Sequence, residues 1–329
     1  MEMRYAAVLI GIVLAIPTLL AGCAPNPVSG ENQLSLMSEY DEVAAGQQAD
    51  QEVMAQNTAY RDASLQAYVS RIGQMIAAQS DRRNLPYRFT VLDDPAVNAF
   101  ALPGGYIYVT TGLMAYLNSE AELAGVLGHE IGHVCARHNV SQASWGAVGD
   151  IATKVLGEKL GNPELISTLT ELTLRKYGRD QELQADGLGA EYLARAGYDP
   201  AYMVNVIATL QAYEQFTGGA SDPYRDLYST HPSNDMRLQQ LIAQARQYGP
   251  GSRDPGHDAY LHRLEGLRMP LGNGQTVQMH LITARPGESF ETLAQSSRLR
   301  NNAAMHLRLL NGLFPNGEPR PGQLLKTIQ

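Results

Sequence analysis

The sequence is poor in cysteine, with only Cys23 and Cys135 in 329 residues. That scarcity excludes a disulfide-framed fold and a zinc site built from four thiolates. Basic charge is also short: 25 Lys and Arg stand against 33 Asp and Glu, a formal charge of −8. Such a balance is a poor match to a nucleic-acid backbone, and no nucleic-acid partner is expected. No collagen-like glycine period and no repeat of solenoid length is visible. After the first two dozen residues no apolar run approaches the roughly 20 residues that span a bilayer. What is present is an apolar fraction of 44% beside 18% charged residues. That is enough for a real core, in one large or two modest domains.

The start of the chain reads as an address. Met1 to Arg4 carries one Arg, and Tyr5 to Leu20 is almost wholly apolar. A charged start, a short apolar run and a small-residue end describe an export signal over residues 1–22. The run closes on Leu20-Ala21-Gly22-Cys23, which resembles the bacterial lipoprotein processing box. The resemblance implies that Cys23 is lipidated and that residues 23–34 form the lipidated terminus and a short tether. It would hold the chain on the periplasmic side of an envelope membrane without spanning it. Ala24, rather than Asp, after Cys23 favours the outer membrane. Cys135 is then unpaired and is read as a packed small residue.

Farther along, Tyr40, Val43, Val53, Leu65, Val69, Ile72 and Ile76 carry a helical period over 37–78, interrupted at Asn57 to Asp62. Tyr87 to Leu92, Ala99 to Leu102 and Tyr106 to Thr111 read as strands of one small sheet. Ser119-x-x-Glu122 opens a helix with Leu123, Val126, Leu127, Ile131 and Val134 as its apolar positions. Further helices are expected over 145–160, from 162 to about 177, from Asp180 to Arg195, from Asp199 to Phe216 and from Ser233 to Tyr248. Residues 217–230 read as a loop, and Pro250 to Gly256 as the clearest linker. The pattern is mostly helix with a small sheet, followed by a short C-terminal module.

His129-Glu130-Ile131-Gly132-His133 is H-E-x-x-H on that helix. A spacing of four stacks both imidazoles on one face, close enough to share an ion. Neutral imidazole suits zinc, and Glu130 is placed to reach a metal-bound water as a general base. A catalytic zinc takes a third protein ligand. Glu182, four residues before Asp186, is the best candidate, with one carboxylate binding metal and the other holding an imidazole's far nitrogen. Glu171 and His138 are rivals on spacing alone.

The sequence closely resembles the M48 family of zinc metallopeptidases, which includes the CAAX prenyl endopeptidases, the HtpX-type proteases and BepA-like periplasmic lipoproteins. Four segments carry the resemblance in order: Asn98 to Val109, Leu127 to His133, Glu182 to Asp186 and Thr230 to Ser233. It covers roughly residues 35–249. It implies one catalytic Zn2+ held by His129, His133 and Glu182, with Glu130 as the base and Asp186 beside the ligands. It also implies that His231 faces the metal, either stabilising the oxyanion or filling the open position at rest. Arg237 resembles a family Arg that organises the site or binds substrate. Asn98, Ala99 and Phe100 resemble the family's edge strand, which pairs with an extended peptide.

Two features depart from relatives. The membrane-embedded branch carries several long apolar helices that this chain lacks, and the BepA-like branch often continues into tetratricopeptide repeats. Here residues 280–329 instead resemble a LysM module, with Thr283 to Phe290, Leu309 to Leu313 and Pro321 to Lys326 as the matching pieces. That implies an affinity for peptidoglycan. The expected architecture is α+β: a mostly helical, zincin-type domain with a small sheet over 35–249, a connecting segment over 250–279 and a LysM-like βααβ module. The expected function is zinc-dependent cleavage of unfolded or misassembled envelope proteins. The alternative is a zinc-stabilised chaperone or adaptor in outer-membrane assembly without catalysis.

Overall fold

The computed structural model describes residues 23–144, 177–218, 231, 235–271, 275–299 and 302–329. The expected export signal, the helices expected over 145–160 and 162–177, the rival ligand Glu171 and most of the expected 217–230 loop lie outside them. The N-terminal segment is not a loose tether. β1 (Cys23–Pro25) and β2 (Asn32–Leu34) pair antiparallel. The turn between them is closed by Gly30 at φ 72 and by Asn26, whose amide donates to Ala136 O at 3.2 Å. A buried Asn with a partner in the main domain is what turns a Pro-rich stretch into a docked hairpin.

α1 (Glu39–Gln56) and α2 (Ala63–Ala77) are the two halves of the first helical period. Ser38 caps one by accepting from Asp41 N, and Asp62 caps the other by accepting from Ser64 and Leu65 N. Such caps stabilise a helix by about 1 kcal/mol each. β3 (Arg88–Leu92), β4 (Ala99–Leu102) and β5 (Tyr106–Thr110) form one sheet in the order β3-β5-β4. β5 runs parallel to β3 and antiparallel to β4. Alternate residues divide between its faces. Ala99, Ala101, Ile107 and Val109 enter the main core, whereas Phe100, Leu102, Tyr106 and Tyr108 pack with Val53 and Met54 of α1. Between β4 and β5, Gly104 adopts φ 74, and a Cβ there would lie 2.8 Å from Val43 Cα. Only glycine satisfies both demands.

α3 (Thr111–Tyr116) leads into α4 (Glu120–Cys135). Ser119 accepts from Glu122 N as the sequence suggests, but the Glu122 carboxylate reaches past the cap to Asn118 N at 2.6 Å. Every residue of α4 from Ala121 to Cys135 is buried, so it is a core helix rather than an amphipathic one. α5 (Arg179–Arg195) and α6 (Ala201–Thr217) pack against it, and α7 (Asp235–Tyr248) packs on those two.

The expected connector is itself folded. Residues 250–279 contain α8 (His257–Arg263), β6 (Arg268–Leu271) and the start of β7 (Gln275–Thr283). Tyr260, Leu261, Leu264 and Leu267 are buried, and Tyr260 OH donates to Met114 O at 2.7 Å. Their helical spacing outweighs the Gly and Pro that flank them. β7, α9 (Phe290–Ser296), α10 (Ala303–Leu310) and β8 (Leu324–Ile328) follow as a βααβ unit with β7 and β8 antiparallel. The unit shares the main core, and buried Lys326 donates to Ala115 O at 2.8 Å and Leu117 O at 2.7 Å. The whole is mostly helical with small open sheets.

Candidate metal centre

Two helices supply most of the site, and small residues let them meet. A Cβ on Gly132 of α4 would lie 2.8 Å from Ala185 O of α5, and one on Gly189 would lie 3.0 Å from His129 N. Contact this close brings His129 and His133 of α4 against Glu182 and Asp186 of α5. His231, after α6, closes the group. Ligand atoms of His129, His133, Glu182 and His231 all lie within 4.8 Å of one another, and all four residues are buried.

The separations have a pattern. His129 Nε2 is 3.0 Å from His133 Nε2 and 3.2 Å from His231 Nδ1. Glu182 Oε1 is 2.8 Å from His231 Nδ1 and 3.4 Å from His133 Nε2. A tetrahedron built on metal–ligand bonds of roughly 2.0–2.1 Å has edges of about 3.3 Å. Partners on the far side assign the protons. His129 Nδ1 faces Asp186 Oδ1 at 2.9 Å, an acceptor, so Nδ1 carries the hydrogen and Nε2 a lone pair. His133 turns its Nδ1 to His138 Nδ1 at 2.9 Å, and His138 Nε2 faces Gln184 Oε1 at 3.0 Å. His138 therefore donates to Gln184 and accepts from His133, which leaves a lone pair on His133 Nε2 as well. Two buried nitrogen lone pairs aimed at each other repel unless a cation lies between them. The donor set, its spacing and its tautomers fit zinc.

The charges fit too. Burial alone would raise the Glu182 carboxyl, but the neighbouring His231 and the Arg237 cation hold it well below the usual carboxylate range. Asp186 is likewise lowered against its burial by Arg237, whose Nε is 2.5 Å from Asp186 Oδ2. Arg237 Nη1 lies 2.6 Å from Glu182 Oε2, an ion pair without hydrogen-bond geometry, and donates to His231 O at 3.1 Å. Burial pushes His133 well down and His138 down to about 4, so both imidazoles are neutral at neutral pH. Glu130 is fully buried, its carboxyl raised by burial, and neither oxygen has a hydrogen-bond partner among the described residues. His231 Nε2 lies 3.7 Å from Oε1. A carboxylate in that condition is costly unless something binds beside it.

Around the centre, β4 is the edge of its sheet. Asn98 O accepts from Thr110 N, so Ala99 and Ala101 turn their backbone groups to the free edge. Ala101 O accepts from Asn139 Nδ2 at 2.9 Å, and Asn139 in turn accepts from the Tyr177 hydroxyl. The Tyr177 ring stacks on His133 with centroids 3.9 Å apart. Asn98 Oδ1 is buried and without a hydrogen-bond partner among the described residues. Behind Glu130 lies an apolar pocket walled by Gly125 and Val126 of α4 and Met203, Val206, Ile207 and Leu210 of α6.

Thus His129, Glu130, His133, Glu182, Asp186, His231 and Arg237 come together, while Asn98 to Phe100 lie along the neighbouring strand. His138 does not join the ligand cluster; it sits behind His133. Sequence reasoning missed Tyr177, Asn139, Gln184 and Asn26, single polar residues in no periodic pattern. It also passed over the small residues at Gly128 and Gly132, and at Ala185 and Gly189, whose spacing of four was a readable sign of close helix contact.

Comparison with known proteins follows the same residues. Residues 63–245 match the model of peptidase family M48. The chain is 38% identical over 173 residues to the mitochondrial metalloendopeptidase OMA1 of Arabidopsis thaliana, covering 51% of this chain and 33% of that one. It is 27% identical over 255 residues to the beta-barrel assembly-enhancing protease of Yersinia pestis, covering 74% and 52%. With metalloprotease YcaL of Escherichia coli it shares 28% identity over 249 residues, covering 70% and 95%. The chain therefore spans about half or less of the first two relatives and nearly all of the third.

Proposed function

Because the chain belongs to peptidase family M48, we propose that it is a zinc-dependent endopeptidase of the bacterial envelope, acting on unfolded or misassembled envelope proteins. The observation that carries this reading is the pair of facing imidazole lone pairs beside a buried, unpartnered Glu130. His129, His133 and Glu182 would hold the ion, with His231 as the fourth donor. When bound, zinc would supply Lewis-acid polarisation and a more acidic water. Glu130 takes a proton from the attacking water and delivers it to the leaving amine. Its raised carboxyl pKa brings it nearer neutral pH, where a group serves best as both base and acid. Asp186 and Arg237 hold His129, Glu182 and the His231 backbone in place. An extended peptide pairs with the outward backbone groups of Ala99, with Asn98 Oδ1 as a further acceptor and Phe100 following it along the strand. One apolar substrate side chain enters the pocket between α4 and α6.

With His231 in the donor set, four protein groups close the centre. Catalysis then requires His231 to withdraw, after which its imidazole is placed to stabilise the oxyanion. The closed set also favours the second reading, a structural zinc in a chaperone or adaptor, since structural sites are typically four-coordinate without an open position. No helix among the described residues is long and apolar enough to cross a membrane. A periplasmic protein lipidated at Cys23 accords with that and with the assembly-enhancing relatives. The β7-α9-α10-β8 unit is LysM-like in its element order, and peptidoglycan is its proposed partner.

Metal analysis and cleavage of an unfolded protein, run in parallel on wild type and Glu130→Gln, separate the readings. We expect equal zinc content and a loss of cleavage on the order of a thousandfold or more in Glu130→Gln. Undiminished cleavage by the zinc-loaded variant overturns the mechanism. Zinc binding with no cleavage by wild type favours the adaptor.

A further inference from the structure

His138 gave the sequence a rival ligand; the structure gives it another task. We infer that Asn26, Gln184 and His138 form a hydrogen-bond relay that fixes the tautomer and aim of His133, making the N-terminal hairpin part of the metal centre. The inference rests on the metal reading above.

The chain of assignments starts at the hairpin. Asn26 Oδ1 accepts from Val28 N at 2.9 Å and Ser29 N at 3.3 Å. Its amide nitrogen must then face the other way, where its two hydrogens are shared among Ala136 O at 3.2 Å, Gln33 Oε1 at 3.3 Å and Gln184 Oε1 at 3.4 Å. That orients the Gln184 oxygen inward as an acceptor. His138 Nε2, 3.0 Å away, carries the proton, so His138 Nδ1 is left to accept from His133 Nδ1 at 2.9 Å. His133 Nε2 is thereby bare and directed at His129 Nε2 and Glu182. Asn26, His133 and His138 are all buried, so water is a poor substitute for any missing partner.

From Gln184 to His133 each step has one donor and one acceptor, and reversing the two imidazoles would set the bare His138 Nε2 against the Gln184 oxygen. Metal-bound histidines depend on such a partner: loss of it lowers metal affinity by roughly 10- to 100-fold. The relay also explains why the hairpin is docked. Asn26 lies three residues after Cys23, so the segment nearest the membrane anchor ends in contact with the metal-ligand support.

Asn26, Gln184 and His138 are positioning residues. The test measures zinc affinity of the full chain by competition with a chromophoric chelator. His138→Phe is expected to lose about 10- to 100-fold, Gln184→Leu less, and Asn26→Leu only a few-fold. His138→Asn, whose amide oxygen sits near the position of Nδ1, is expected to stay within about threefold of wild type. An equal loss in His138→Asn and His138→Phe, or unchanged affinity in all variants, overturns the relay. Nitrogen-15 shifts of the histidines in the metal-free protein give a readout independent of metal. Protonation of His138 at Nε2 and of His133 at Nδ1 is expected, and the reverse tautomers overturn the inference. A wild type that fails to bind zinc defeats the metallopeptidase reading instead.

Discussion

Two buried polar clusters flank the C-terminal half of α4, and they differ in one respect. Glu42 of α1 accepts from Arg82 Nη1 at 2.8 Å, from Arg82 Nη2 at 3.0 Å and from Arg137 Nε at 2.8 Å. The same arginines donate onward to Val134 O and Met37 O. Both Glu42 oxygens are taken, and both guanidinium groups meet carboxylate and carbonyl together. Across the helix, Glu130 has no hydrogen-bond partner among the described residues and two imidazole lone pairs face each other. One cluster is complete within the chain and holds α1, α2 and the end of α4 together. The other is incomplete, and incompleteness in a buried site points to a ligand.

Removing one carboxylate from each side puts the contrast to the test. Glu42→Ala leaves two guanidinium groups buried without their shared partner, and a loss of about 3–5 kcal/mol in unfolding free energy is expected. Zinc stoichiometry should survive in whatever remains folded. Glu182→Ala is expected to do the opposite, changing metal-free stability little while abolishing the rise in melting temperature on adding zinc. Denaturant and thermal melts with and without zinc read both. Equal behaviour of the two variants erases the distinction. A smaller effect is expected from Gly132→Ala, because the new Cβ falls 2.8 Å from Ala185 O. Pushing α4 from α5 should cost about 2 kcal/mol and weaken zinc binding together, whereas a purely local clash lowers stability alone.

The smallest effect concerns a polar group with a single hydrogen-bond partner. His306 of α10 meets the Tyr116 hydroxyl at 2.9 Å between the rings of Tyr116 and Phe216. Burial lowers its pKa from the ordinary 6.5 to about 4. Between those values the unfolded chain binds a proton that the folded chain does not, so stability falls as pH drops from 6.5 towards 4. About 1 kcal/mol should be gone by pH 5.5. His306→Phe is expected to flatten that part of the profile in melts between pH 7 and 5; an unchanged slope removes His306 as its source.

Much of the scaffold was legible because it follows from local rules. Ser119 announces a helix start, and the short apolar runs of β3 to β5 read as strands. The H-E-x-x-H spacing places two imidazoles on one face whatever surrounds them. The misreadings share one physical cause. Residues 250–279 looked like a connector from Gly and Pro, but Tyr260, Leu261 and Leu264 found a surface to bury against. Residues 23–34 looked like a tether, but Asn26 found Ala136 O and Gln184. Each depends on a partner far off in the chain, which local composition does not contain.

The sequence alone determined which residues are able to bind a metal, how far apart they lie along their own helices and where those helices begin. Only the tertiary structure decided that His138 stands behind His133, that His231 joins the cluster of possible donors, and that Glu130 has no hydrogen-bond partner among the described residues. Spacing along one helix is fixed by its pitch. Convergence of separate elements is set by how closely they pack, and here that rests on glycine and alanine at the α4–α5 contact.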